Sequence, residues 1–244
     1  MMQSRGVLSY STGERIGNFE RTDPYSVELW VYPTGTARAT ALISHIGAGP
    51  ANPGWMAMMS GTRSTYNQAG FALVNNNATG NFFNILSTFN GISLATNVWH
   101  HIVFTYNGNS RVSGVTLYVN GASKALTVVV KDTLTDTIKD NSASLNVGSG
   151  TIYPYFPGRI DEAVIYDRVL SAAEVTQRYN AGAGTETLFG TAYLHYCLNE
   201  SSGTVVPDSS GNLRHGVTIG SPSWVAGKLN NCLQLNGSSQ YVRA

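Results

Sequence analysis

The sequence predicts an all-β protein, an antiparallel sandwich with one short helix near residues 171–179. Three observations predict it. First, 26 of the 244 residues are Gly and 13 are Tyr, and the Gly and Asn residues cluster between short β-prone runs, the composition of many strands joined by tight turns. Second, Tyr25–Tyr32 and Val115–Val119 alternate in side-chain character with the period of two that belongs to strands. Third, a single stretch carries helix-start marks: Ser171 and Glu174 form an S-x-x-E capping box, in which each side chain bonds the other's backbone amide.

Composition bounds the function classes. Hydrophobic residues make up 42% and charged residues 12% of the chain, enough apolar surface for a packed core. A net charge of +1 with no basic run leaves no electrostatic footprint for nucleic acid. No apolar run approaches the ~18 residues of a membrane span. Residues Met1–Gly6 lack an apolar core, so no signal peptide is visible.

The elements follow in order. Val7–Tyr10 reads as a first short strand. In Tyr25–Tyr32, Val27, Leu29 and Val31 share one face while Glu28, Trp30 and Tyr32 share the other, and Pro33 ends the run. Ala41–Ile46, Trp55–Ser60, Gly70–Val74 and Phe82–Ser87 are further strands, separated by Gly/Pro/Asn-rich loops at 47–54 and 75–81. Val98–Tyr106 is a strand with His100 and His101 on opposite faces, one packed and one exposed. Val115–Val119 closes on Asn120-Gly121, a strong hairpin signal, with Leu126–Val130 as the expected partner. Leu145–Gly148 precedes the chain break at Pro157-Gly158. Ile160–Tyr166 is the closing strand, and the helix runs on to Tyr179, stopped by Gly182 and Gly184.

The run Phe156-Pro157-Gly158-Arg159-Ile160-Asp161-Glu162-Ala163-Val164-Ile165-Tyr166, continued by Arg168, Leu170, Ser171, Glu174 and Val175, resembles the end of a laminin G-like domain of the concanavalin A-like lectin/glucanase superfamily. Trp99-His100-His101 with Thr105-Tyr106, and Leu117-Tyr118-Val119-Asn120-Gly121, are similar to internal motifs of the same family. The resemblance implies a jelly-roll sandwich. Its order is rearranged, however. Ala192–Leu198, followed by Asp208-Ser209-Ser210-Gly211-Asn212 and His215-Gly216, resembles the family's opening strand and the loop after it, yet lies at the C-terminal end. Residues 1–184 therefore read as a sandwich lacking its opening strand. Residues 185–244 read as the opening part of a second domain, docked beside Ile160–Tyr166 on a sandwich in the same chain or a neighbour's. Because residues 7–16 partly repeat 232–242, docking on a neighbour is favoured, giving a homo-oligomer or larger assembly.

Candidate sites are few. Glycosidases need two carboxylates flanking the sugar. Asp161 and Glu162 are adjacent and point to opposite faces, while Asp161 and Asp167 are too far apart along one strand. A catalytic reading is therefore set aside unless acidic residues converge from different strands. No His/Cys cluster has zinc spacing in the sequence. Asp208, Ser209 and Asn212 offer oxygens suited to calcium, and the resemblance implies a structural calcium there, shared with Asp161. The alternative is an Asx-turn in which Asp208 bonds its own loop. Trp55, Tyr66, Phe82, Phe83, Tyr153 and Tyr155, with Asn75-Asn76-Asn77 nearby, are candidate sugar-stacking residues in or beside the long loops, and a packed loop or subunit interface is the alternative. Cys197 and Cys232 are compatible with one disulfide and with two free thiols, the latter preferred. The expected function is a non-catalytic structural or binding protein on a virion surface, such as a phage decoration or fibre-associated component with glycan binding. The alternative is a secreted or cell-surface carbohydrate-binding or adhesion module.

Overall fold

The computed structural model describes residues 15–35, 39–62, 65–87, 91–92, 94–150 and 153–244. The expected strand at Val7–Tyr10 lies outside them. Among the described residues, eleven strands precede the helix: β1 Tyr25–Pro33, β2 Ala39–Ile46, β3 Gly54–Thr62, β4 Thr65–Asn76, β5 Asn81–Ser87, β6 His100–Tyr106, β7 Val115–Val119, β8 Ala122–Lys124, β9 Leu126–Asp132, β10 Leu145–Val147 and β11 Pro157–Tyr166. Helix α1 spans Ala172–Tyr179. Six short strands follow: β12 Leu194–Tyr196, β13 Val205–Val206, β14 Gly216–Ile219, β15 Ser223–Ala226, β16 Asn231–Asn236 and β17 Tyr241–Arg243.

These strands form two antiparallel sheets. Sheet I runs β15-β16-β11-β1-β6-β7-β8, with β12 also on β11; sheet II runs β13-β14-β17-β10-β2-β3-β4-β5-β9. The inner faces meet in one core. Val27, Leu29 and Val31 of β1 pack there with Ala57 and Met59, Phe71 and Leu73, Phe83 and Ile85, and Ile102 and Phe104, as period-two patterning requires. Rings of Tyr25, Trp55, Phe71, Phe104 and Tyr106 pack through its centre, Phe71 stacked on Trp55 and Phe104 and the other pairs tilted or edge-on.

The hairpin at Asn120-Gly121 forms, with Asn120 at φ 51 and Gly121 at φ 78, but its partner differs from the expectation. Strand β7 pairs with the three-residue β8. Leu126–Val130 instead belongs to β9, which has crossed to sheet II and pairs with β5. Helix α1 has the predicted capping box: Glu174 N donates to Ser171 Oγ at 3.3 Å and Ser171 N donates to Glu174 Oε2 at 2.9 Å. It ends at Tyr179 as read, but the stop is Asn180 at φ 48, ψ 54 rather than Gly182 or Gly184, since Asn tolerates the left-handed region.

The C-terminal segment docks within its own chain, the same-chain form of the two expected. Strand β12 pairs with β11 through Ile165↔Leu194, Val164↔His195 and Ala163↔Tyr196. Strand β16 pairs with the first half of β11, and β17 pairs with β10 in the opposite sheet. Both sheets thus gain strands from residues beyond 190. Leu194, Tyr196 and Leu198 enter the common core, as their alternation requires. Closure at home satisfies the ladder that β11 would otherwise leave open.

Candidate functional site

Sheet II presents an apolar outer face. Along β3, Trp55, Ala57 and Met59 point inward while Met56 and Met58 point outward; along β4, Phe71 and Leu73 point inward and Ala72 outward. The same alternation along β5 turns Phe83 and Ile85 inward, and Phe82 and Asn84 to the other side. A groove of about 360 Å³ lies on this outer face, lined by Met56, Ala72, Val74, Asn77, Phe82, Asn84, Val130 and Tyr153. Among the described residues, no charged side chain lines it. Two aromatic rings and two amides do, and the Asn84 Oδ1 is buried without a hydrogen-bond partner. Thr40 Oγ1 donates to Pro154 O at 3.1 Å and ties the Tyr153 loop to β2. Asn77 sits in the β4–β5 turn, its N–H donating to Ala51 O at 2.8 Å. Neutral amides and ring faces around a partly open groove suit an uncharged, hydroxyl-rich ligand. A larger and more open depression of about 500 Å³ lies beside α1, with Phe189 as its aromatic residue.

Of the six aromatic residues picked from the sequence, the groove takes in Tyr153 and Phe82. Trp55 is fully buried, and its Nε1 donates to Gly17 O at 2.7 Å, so it is core and unavailable to a ligand. Both faces of β3 are apolar, and no pattern in the sequence told the inner face from the outer. Asn76 Oδ1 accepts from Thr79 N at 3.1 Å, committing it to the turn. Tyr155 lies against Tyr241, with ring centroids 5.8 Å apart. Tyr66 is in β4, and its side chain lies outside the described residues. Phe82, named in the sequence as a loop aromatic, lines the groove, whereas Phe83 is core. Asn77, named from the sequence beside Asn75 and Asn76, also lines the groove, whereas Asn84 was missed.

The proposed calcium ligands separate. Asp208 Oδ1 accepts from His195 N and Ser210 N, and Oδ2 accepts from Ser210 Oγ and Arg214 N. Burial would raise this carboxyl, but those donors hold it below the ordinary value. This is the Asx-turn alternative, with both oxygens already occupied by protein donors. Asn212 Nδ2 donates to the carbonyls of Ala192 and Tyr193. Asp161 faces another segment, accepting from Lys228 N at 2.8 Å, Leu229 N at 2.9 Å and Glu162 N at 2.9 Å. Burial pushes Asp161 up to about 8 against the pull of those amides, and the Glu162 charge adds to the rise.

A second centre lies on the outer face of sheet I, beneath α1. The register between β1 and β11 shifts between Glu28 and Trp30, and Glu162 occupies the bulge at φ 49. Carboxylates from two strands therefore do converge. Arg178, inside the last turn of α1, joins them: Nε lies 2.8 Å from Glu28 Oε1 and Nη2 lies 3.3 Å from Glu162 Oε2. His101 Nε2 is 2.9 Å from Glu28 Oε1, Tyr166 Oη donates to Glu28 Oε2 at 3.1 Å, and His195 Nε2 is 2.9 Å from Glu162 Oε2. Burial alone would raise Glu28; the hydrogen bonds and charges of His101 and Arg178 instead hold it at about 2. Burial would lower His195, but its contacts with Cys197 and Glu162 push it up to about 9. Both carboxylates are fully buried. They are sealed in an ion-pair network under a helix, where a sugar cannot sit between them. His100 and His101 are also both buried, correcting the expectation that one would be exposed. Both thiols are free.

Comparison with known proteins agrees with this architecture. A laminin G family model, described as the concanavalin A-like lectin/glucanases superfamily, matches residues 8–176. A search of curated protein sequences finds no match. Among solved structures, a Bacteroides ovatus protein provisionally described as carbohydrate-binding aligns at 17% identity and a TM-score of 0.54, over 83% of this chain and 53% of that one. The chain thus spans about half the length of that protein. Domain 4 of the extracellular arabinanase AbnA from Geobacillus stearothermophilus, in complex with arabinotriose, aligns at 22% identity and a TM-score of 0.42, over 65% of this chain and 68% of that one. The CBM40 of the Ruminococcus gnavus IT-sialidase, bound to α2,3-sialyllactose, aligns at 15% identity and 0.47, over 64% and 82%.

Proposed function

Because the chain belongs to the laminin G-like group of the concanavalin A-like lectin/glucanase superfamily, we propose that it is a carbohydrate-binding module of a secreted or surface-displayed protein. Its site is the Tyr153 groove of sheet II. The observation that carries this reading is the lining: ring faces of Tyr153 and Phe82 beside the amides of Asn77 and Asn84, with no charged group. Aromatic faces stack on the apolar faces of sugar rings while amides take the hydroxyls. The absence of a cation in the lining favours neutral sugars over sialylated or sulfated ones. The Bacteroides ovatus likeness, at a TM-score of 0.54, supports the same class. A role in a phage particle, the reading the sequence favoured, has no support among these relatives, and the carbohydrate-binding alternative takes its place.

The test is a panel of neutral oligosaccharides titrated calorimetrically against wild type, Tyr153→Ala and Asn84→Ala. Each substitution is expected to weaken binding about tenfold or more, equivalent to about 1.4 kcal/mol. A panel that binds no better than buffer, or binding that survives both substitutions unchanged, sinks the reading.

A further inference from the structure

His195 and Cys197 stand two residues apart at β12, so both side chains leave the same face of the strand. Glu162 lies one step beyond the Ala163↔Tyr196 pair, on the bulge of β11. His195 Nε2 is 2.9 Å from Glu162 Oε2 and 3.4 Å from Cys197 Sγ, and one donor atom from each residue lies within 4.8 Å of the others. From this cluster we infer a zinc-binding site formed by Cys197 Sγ, His195 Nε2 and the Glu162 carboxylate.

The spacing fits the ion. Zinc holds sulfur at about 2.3 Å and imidazole nitrogen at about 2.0 Å, so a tetrahedral centre separates the two donors by about 3.5 Å; the measured separation is 3.4 Å. The nitrogen–oxygen pair at 2.9 Å must open by a few tenths of an ångström as the metal replaces the proton shared between them. A second observation points the same way. Glu162 is fully buried, yet its Oε1 has no hydrogen-bond partner, and an unsatisfied carboxylate oxygen in a protein interior is costly unless a cation or donor meets it. One thiolate, one imidazole and one carboxylate form a borderline donor set that selects zinc over calcium or magnesium.

The surroundings hold the ligands in place and leave a route to solvent. His195 N donates to Asp208 Oδ1 at 2.9 Å and Ser209 N donates to His195 O at 2.8 Å. Ser209 is exposed and places its Oγ 3.4 Å from Cys197 Sγ, beside the fourth position, which water fills. Arg178 stays paired with Glu28. On binding, the proton between His195 and Glu162 and the thiol proton of Cys197 leave to solvent. The ion then ties β12 to β11, on the sheet opposite the sugar groove and independently of it.

The full chain, stripped of metal, is titrated with Co²⁺ and then Zn²⁺. One equivalent of Co²⁺ is expected to give tetrahedral visible bands and a thiolate charge-transfer band, both abolished by Zn²⁺. Zinc at a hundredfold excess over its Kd is expected to raise Tm by about 5–10 °C, and Cys197→Ser to lose both the charge-transfer band and the shift. In wild type, zinc shields Cys197 from iodoacetamide, mapped by mass spectrometry. The mapping decides the matter if Cys197→Ser fails to fold. Absence of the charge-transfer band, its persistence in Cys197→Ser as an adventitious ion would give, or alkylation of Cys197 at an unchanged rate overturns the site.

Discussion

Replacing Arg178 by Met removes the guanidinium that joins two buried carboxylates while keeping most of the side chain's packing volume. Arg178 is 1% exposed and Glu28 and Glu162 are 0% exposed, so water cannot take over as partner. Breaking such a pair from one side costs about 3–5 kcal/mol, because the partner charge is left uncompensated. The carbonyls of Thr185 and Thr187, which accept from Nη1, lose their donor as well. For a chain of this length the loss corresponds to a fall in Tm of about 6–20 °C. The assay is urea unfolding across a pH series. In wild type, Glu28 is depressed from 4.5 to about 2. Its contribution is complete above the unfolded value and is lost as pH falls through the folded one. In Arg178→Met the carboxylate loses that protection and protonates more readily, so the gap between the two proteins narrows on acidification. A loss under about 1 kcal/mol at neutral pH, well below that of a broken buried pair, would refute the reasoning. So would a gap that stays constant down to about pH 3, where linkage requires it to shrink.

Two further outcomes follow from the same geometry. In metal-free protein, His195 is raised from 6.5 to about 9, so its stabilisation is full below the lower value and disappears as pH rises through the upper, about 3 kcal/mol in all. Tm should fall across that window and His195→Gln should flatten the fall; identical profiles for the two proteins would count against the His195–Glu162 interaction. A chain truncated after Gly184 loses β12 to β17 and leaves the ladders of β10 and β11 open, so it should aggregate on expression. A soluble monomer with the full-length Tm would show that the C-terminal segment is dispensable.

Local signals were legible in the sequence and long-range partnerships were not. The capping box of α1 and the Asn120-Gly121 turn are decided by residues within a few positions of each other, and both formed as read. The sheet switch before β9 was not legible, because Thr127 to Val130 carries no alternation that assigns it to a sheet. Trp55 was misplaced because Met56 and Met58 make the outer face of β3 as apolar as the inner. The Glu28–Arg178–Glu162 network joins residues 150 and 16 positions apart, and Glu162 reaches it through a bulge that reverses the simple alternation argument for Asp161 and Glu162. The His195-x-Cys197 pair is visible in the sequence, but its third member lies 33 positions away, beyond any spacing rule for metal sites.

The pairing of β17 with β10 governs when the molecule can fold during its own synthesis. Strand β10 (residues 145–147) meets β2 on one side at once, but its other neighbour arrives roughly a hundred residues later. At ~5–20 residues per second on a ribosome, both sheets wait at least several seconds for their final strands. Over that interval the outer edges of β10 and β11 are bare, and the nascent protein is exposed to wrong partners. The slow, non-local character of such pairing makes the interval before β16 and β17 pair, rather than the finished state, the period in which this fold is most vulnerable.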